Sequence, residues 1–219
     1  MTNKKICVRF APSPTGPLHI GGVRTALFNY LYAKKSGGKF LIRIEDTDKK
    51  REVSGAEDYI IESLKWCGIE ADKEPCRQSE RKDIYNEHVL MLLKEGKAYY
   101  AFDTEEELLK LRENEESKGK TFIYNWRNRN SLNNSLYLDE KEVQKKIENK
   151  ERCVVRFRCP SDSEVKTYDI VRGGSSIDSS LLDDKILVKA DGMPTYHFAN
   201  IVDDYLMGIT HVIRGEEWL

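Results

Sequence analysis

The 219-residue chain sets 36 Lys and Arg against 37 Asp and Glu, with 33% charged and 39% hydrophobic residues. No apolar run approaches the ~20 residues of a membrane span, and the composition fits neither a collagen-like nor a disordered chain. The charge is uneven: residues 1–51 hold eleven Lys and Arg against three acids, +8, leaving −9 for the remainder, which points to a local polyanion site in that segment.

Lys5 to Phe10 reads as a short strand, followed by a loop, Ala11 to Pro17, that its prolines keep out of helix. After His19-Ile20-Gly21-Gly22 a helix is predicted with Val23, Leu27, Tyr30 and Leu31 on its apolar face, closed by Gly37-Gly38. Lys39 to Ile44 is a second strand, so the chain opens β–loop–α–β, the start of a parallel sheet. Ser54 and Glu57 form a predicted capping box for a helix ending near Gly68. Further helices are predicted from about Ser79 to Glu95, from the Thr104/Glu107 box to about Ser117, and from Asp139 with Glu142 to about Asn149. Residues 120–135 are polar and aperiodic. Cys153 to Arg158 alternates as a strand, Thr167 to Val171 is a further candidate, and Gly173-Gly174 reads as a turn. Lys185 to Lys189 is a strand entering an Asp191-Gly192 turn. Thr195 to Leu206 reads as strand then helix, Thr210 to Arg214 as a last strand, and Glu216 to Trp218 as the opening of a helix.

The stretch Arg9 to Gly22 lies between the first strand and the first helix. Open parallel sheets bind ligands at the carboxyl ends of their strands, and a helix N-terminus offers unpaired N–H groups to phosphate. Gly21 and Gly22 allow close approach to the backbone. His19 can donate to phosphate oxygens; a histidine there also serves as a plain helix-entry cap. Arg9 and Arg214 each end a predicted strand, and a guanidinium suits a carboxylate through two parallel hydrogen bonds. Glu45, at the end of the second strand, suits an ammonium. The five cysteines, Cys7, Cys67, Cys76, Cys153 and Cys159, contain no C-x-x-C pair, which gives neither a disulfide framework nor a zinc motif. With no signal peptide in the opening residues, a reducing cytoplasm is the expected location.

The string Arg9-Phe-Ala-Pro-Ser-Pro-Thr-Gly-Pro-Leu-His-Ile-Gly-Gly22 resembles the "HIGH" motif of class I aminoacyl-tRNA synthetases, in the form used by glutamyl-tRNA synthetases. Lys39 to Asp48, Gly55-Ala-Glu, Leu64-Lys-Trp, Arg77 to Arg81, Asp191 to Asp204 and Gly208 to Leu219 match further blocks of that family in order. The resemblance runs from Lys5 to Leu219 and is dense outside about 105–165. It implies a Rossmann-like parallel α/β sheet interrupted by an α+β insertion. Residues 1–85 would be the first half of the catalytic domain, 86–184 the acceptor-stem-binding insertion, and 185–219 the second half, ending before the family's "KMSKS" loop. The fourth HIGH position is Gly22 rather than His, as is common in this subgroup. Where some members carry zinc-binding cysteines, this chain has Tyr99 to Asp103, so no zinc is expected.

The activity so implied is ligation of L-glutamate to tRNA(Glu), with ATP and its Mg2+ as substrate and glutamyl-adenylate as intermediate. By resemblance, His19 and the N–H groups of Gly21 and Gly22 stabilise the transition state and hold ATP, with Glu217 and Trp218 against the adenosine. Arg9, Ala11, Ser13, Glu45, Tyr196, Asn200 and Arg214 would contact glutamate, with Arg214 reading its side chain. Asp46 and Asp48 are expected to brace their loop or cap the next helix, and His197 to pack in the core. Asp203 and Asp204 match the family but have no role apparent from the sequence. Lys141, Lys145, Lys146, Lys150, Arg152, Arg156 and Arg158 are expected to meet tRNA phosphates or to form a solvated face. A monomer without membrane contacts is favoured. Two alternatives stand beside this reading: a short paralogue that glutamylates a modified base in tRNA(Asp), and a non-catalytic nucleotide- or tRNA-binding module. Without the lysine loop, the fragment alone is expected to be inactive.

Overall fold

The computed structural model describes residues 5–48 and 51–215. They fall into two compact units, Met1–Tyr85 with Tyr196–Leu219, and Asn86–Thr195. None of the helices described is long and apolar enough to cross a membrane.

In the first unit, β1 (Cys7–Phe10), β2 (Lys39–Ile44) and β3 (Cys76–Arg77) form a parallel sheet in the order β1-β2-β3. Val8 lies opposite Phe40, and Ile44 opposite Arg77. Parallel strands of this kind require a crossover. α1 (Ile20–Lys35) supplies it between β1 and β2, and α2 (Ala56–Trp66) lies between β2 and β3. Val8, Phe40, Ile42 and Ile44 form the core with Ala26 and Ala33 of α1 and Ile60 and Leu64 of α2. β2 is buried on both faces from Phe40 to Ile44: Phe40, Ile42 and Ile44 line one, and the other carries Leu41 and the buried Arg43.

α1 buries only part of the predicted face: Val23 and Tyr30 pack against the core, but Leu27 and Leu31 do not. Ala26, Asn29 and Ala33 are its buried residues, whereas Leu27 and Leu31 are exposed. Ala26 and Ala33 meet the sheet core, with Val23 and Tyr30 at its margin, while Leu27 and Leu31 are left outside. The Ser54/Glu57 box does not form either. Gly55 is the N-cap of α2, at φ 76° and with no side-chain cap, and Glu57 instead pairs with Arg77 at 2.7 Å. A 3-10 turn, Gln78–Arg81, precedes α3 (Lys82–Lys94). Residues 210–214 are not a strand, but Thr210 N–H donates to Cys7 O at 2.8 Å, so the segment runs beside β1. The predicted helix at 216–218 lies outside the described residues.

The second unit holds an antiparallel sheet of β4 (Ala98–Ala101), β5 (Val154–Phe157) and β8 (Ile186–Val188), and a hairpin of β6 (Glu164–Asp169) and β7 (Gly173–Asp178). α4 (Glu105–Glu116) starts at the predicted capping box of Thr104 and Glu107, and Asp139 caps α5 (Glu140–Glu148). Gly173 begins β7 instead of lying in a turn. β8 pairs with β5, so residues 185–195 pack with the insertion and not with the catalytic half to which the sequence reading assigned them. α6 (Tyr196–Leu206) opens the return to the first unit.

Candidate active site

A cleft of about 600 Å³ lies at the carboxyl end of β1 and β2, in the first unit. Its lining includes nine of the residues singled out in the sequence: Arg9, Ala11, Ser13, His19, Gly21, Gly22, Glu45, Tyr196 and Arg214. Asn200 stands one turn beyond Tyr196 on α6, half-buried, and is not part of the lining. Glu217 and Trp218 lie outside the described residues. Two hydrogen bonds fix the loop that forms the floor. Glu45 N–H donates to Pro12 O at 2.9 Å and Val53 N–H to Pro14 O at 3.0 Å, so the rigid proline segment is stitched to the loop after β2.

At one end of the cleft is the N-terminus of α1. Its first turn has no acidic residue, so no side chain of that turn offsets its partial positive charge. His19 is the N-cap, exposed, and its Nδ1 accepts from Gly21 N–H at 3.1 Å. Cap and ligand donor are therefore compatible roles: with Nδ1 as acceptor, the neutral ring carries its proton on Nε2, on the opposite edge. The glycine at 21 makes room for this ring. A Cβ there would lie 2.9 Å from His19 Cε1 and 3.0 Å from Nδ1. Arg24, one turn into α1, also lines the cleft and adds a cation that the sequence reading did not single out. Its signal was the i,i+3 spacing from Gly21.

At the other end stand Arg9 and Glu45, linked through residues behind the wall. Arg9 is forked onto Asp204, with Nε at 3.0 Å from Oδ1 and Nη2 at 3.2 Å from Oδ2. Arg43 is fully buried and donates Nη1 to the same Asp204 Oδ1 at 2.5 Å. Its Nη2 and Nε donate to Glu45 Oε1 at 3.0 and 3.3 Å. Burial pushes the Glu45 carboxyl above its ordinary range, against the pull of Arg43 and Arg9, and Asp204 adds to the rise. Arg214, exposed at the cleft, has no ion-pair partner among the described residues.

Neighbouring groups brace the site. Asp46 accepts from Ser79 N–H at 2.8 Å and caps the 3-10 turn, and Asp48 holds Arg51 at 2.7 Å. Asn29 Nδ2 donates to Ile213 O at 3.1 Å, tying α1 to the segment that carries Arg214. Asp203, fully buried, accepts from Gln78 Nε2, Tyr85 OH and Arg81 Nε, each at 2.8 Å. His197 is exposed on α6 and is not the core residue expected, because the core side of that helix is taken by Phe198, Ala199 and Val202.

In the second unit, Arg156 is not a surface cation. It is 8% exposed, donates to Asp184 O at 2.9 Å and stacks 3.9 Å over the Tyr124 ring. Alternation along β5 turns its side chain into the unit's buried polar network, where Tyr99 OH and Arg129 also meet Asp184 at 2.7 and 3.2 Å. Arg152 pairs with Glu105, and Lys146 with Glu151 at 2.9 Å. Lys141, Lys145, Lys150 and Arg158 are exposed. Among the described residues no group of three His, Cys, Asp or Glu is placed to hold a metal ion.

The family described as tRNA synthetases class I (E and Q), catalytic domain, matches residues 5–219. A glutamate–tRNA ligase of Christiangramia forsetii is 62% identical over 225 residues, covering 99% of this chain and 45% of the relative. That of Flavobacterium johnsoniae is 56% identical with the same coverage. A solved structure, a glutamate tRNA ligase from Elizabethkingia meningosepticum in complex with its amino acid, superposes with a TM-score of 0.94 at 55% identity. It covers 98% of this chain and 44% of that one. The chain thus spans about 45% of the length of the curated relatives it matches.

Proposed function

Since the chain belongs to the class I tRNA synthetase (E and Q) catalytic-domain family, we propose that it forms the catalytic part of a glutamate–tRNA ligase. The observation that carries this reading is the meeting, in one cleft, of a helix N-terminus capped by His19 and free of acids in its first turn, and of a cation–carboxylate pair, Arg9 and Glu45, beside Arg214. The first end suits phosphate, and the second suits the carboxylates and ammonium of an amino acid.

In the first step the α-carboxylate of L-glutamate attacks the α-phosphorus of ATP, brought with its Mg2+, in line with the leaving pyrophosphate. The P–O bond to the β-phosphate breaks as the acyl–phosphate bond forms. The Nε2–H of His19 and the N–H of Gly22 stabilise charge developing on the phosphates, the Gly21 N–H being spent on fixing the His19 ring, so catalysis is mainly positioning and electrostatics. In the second step a hydroxyl of the terminal ribose of tRNA(Glu) attacks the activated carbonyl, and AMP leaves. Glu45 Oε2, left open while Oε1 serves Arg43, is the acceptor for the substrate ammonium. Arg214, with no ion-pair partner among the described residues, reads the side-chain carboxylate. The exposed Lys141, Lys145, Lys150 and Arg158 of the second unit are its candidate phosphate contacts for tRNA. All five cysteines are free thiols, which fits work in a reducing cytoplasm.

The test is pyrophosphate exchange with tRNA present, using the full-length protein that carries this chain. Arg214→Ala removes the charged hydrogen bonds to one carboxylate, worth ~1.5–3 kcal/mol, and should raise the KM for glutamate roughly ten- to 150-fold. Discrimination against glutamine should fall with it. Unchanged discrimination would take Arg214 out of this role.

A further inference from the structure

Arg9 and Glu45 form part of the cleft wall, but the two groups that hold them do not. Asp204 and Arg43 are absent from its lining. The four side chains run Arg9, Asp204, Arg43, Glu45, alternating in sign, with bonds of 3.0 and 3.2 Å, then 2.5 Å, then 3.0 and 3.3 Å. Three elements contribute: β1 gives Arg9, β2 and the loop after it give Arg43 and Glu45, and α6 gives Asp204. We propose that Asp204 is a positioning residue for amino-acid binding, the shared carboxylate that fixes the spacing and orientation of the Arg9 cation and the Glu45 carboxylate across the cleft. This rests on the substrate reading given above.

The geometry makes Asp204 the hinge of the array. Its Oδ1 is the one atom that both guanidinium groups share. The fork onto Arg9 occupies Nε and one Nη2 hydrogen, leaving both Nη1 hydrogens and the second Nη2 hydrogen for a ligand carboxylate. The bond to Arg43 Nη1 orients that guanidinium so that its other edge holds Glu45 Oε1. The formal charges of the four groups cancel, so the two ends present a preset cation and anion, the complement of a carboxylate and an ammonium on one small molecule. Without the Asp204 charge, Arg9 is free to swing toward Glu45, and the array carries one uncompensated positive charge. Both readers of the substrate would then be engaged with each other.

The experiment is titration calorimetry of the full-length protein with L-glutamate and, separately, with ATP. Asp204→Asn is isosteric, and its melting temperature checks the fold. The expected result is L-glutamate affinity lower by roughly ten- to hundredfold, the scale of a lost charged hydrogen bond, with ATP affinity within threefold. The charged groups facing Glu45 are Arg43 from β2, Arg9 from β1 and Asp204 from α6. Removing the acidic one lets Glu45 ionise more readily, so the acid limb of L-glutamate binding should move to lower pH, which a purely structural defect would not do. Asp204→Glu keeps the charge but shifts the fork by one methylene. It should weaken L-glutamate binding with the acid limb in place. A folded variant of either kind that binds L-glutamate within threefold of the unsubstituted protein overturns the proposal. So does failure of both to fold, which would assign Asp204 to the fold alone. If the unsubstituted protein does not bind L-glutamate, the substrate reading itself fails and takes this proposal with it. That control tells the two failures apart.

Discussion

Asp203→Ala probes whether the buried acceptor beside the site holds the first unit together. Asp203 is 0% exposed and takes three hydrogen bonds, two of them from side chains that are themselves 1% exposed, Gln78 and Tyr85. Alanine leaves those two donors buried without a partner, at ~1–3 kcal/mol each. Gln78 suffers most, because its Oε1 already has no partner, so its whole amide would be stranded. Arg81 is partly exposed and can turn to water, which keeps its share small. The sum is ~3–5 kcal/mol, the range for breaking a buried pair from one side, against a typical total stability of ~5–15 kcal/mol. At ~2–4 °C per kcal/mol for a chain of this size, the melting temperature should fall by about 6–20 °C. Asp203→Asn keeps the volume and one carbonyl acceptor, and should lose less than half as much. Circular dichroism melts and urea titrations of the full-length protein measure both. A cost below ~1 kcal/mol for alanine, or equal costs for the two variants, would refute the accounting by stranded donors.

Gly21→Ala should separate activity from stability. The added Cβ displaces the His19 ring from 2.9 Å, losing a cap worth ~0.5–2 kcal/mol, while alanine returns ~1 kcal/mol of helix propensity. The melting temperature should change little while the rate of adenylate formation drops at least tenfold, as oxyanion-type donors do; a stable variant with normal rate would refute it. Asp72 contributes one pH dependence. Its carboxyl is held below the ordinary range first by the Phe40 N–H, at 2.7 Å, and then by Lys34. A depressed folded value contributes stability above the ordinary carboxylate range and loses it as pH falls through the depressed one. Asp72→Asn should therefore cost about 0.5–1 kcal/mol at neutral pH, reduced by partial exposure, with the gap closing in acid. Unfolding titrations that showed a constant gap across pH would contradict this.

The local signals that held are ones whose partner sits within a few residues and has no distant competitor. The Thr104/Glu107 box, the Asp139 cap and the strand–loop–helix of residues 5–35 all depend on contacts of short range, and the structure has them in place. The same holds for the line of Arg9, Ala11, Ser13, His19, Gly21 and Gly22 along one cleft, because a strand end followed by a proline-fixed loop and a helix start leaves few places for those side chains to point. The Ser54/Glu57 box failed because a remote competitor, Arg77, took Glu57. Which face of α1 is buried was decided by the sheet it packs on, which favours small residues over large ones at close approach. Residues 185–195 joined the insertion because β5, not β2, offered β8 an open edge. Asp203 and Asp204 gave no local signal at all: their partners lie 118–125 and 161–195 residues away. Sequence periodicity reports which side of an element is apolar, but a buried carboxylate is defined by what arrives from elsewhere. Only the folded chain brings Arg9 of β1 and Arg43 of β2 to one oxygen of Asp204 on α6.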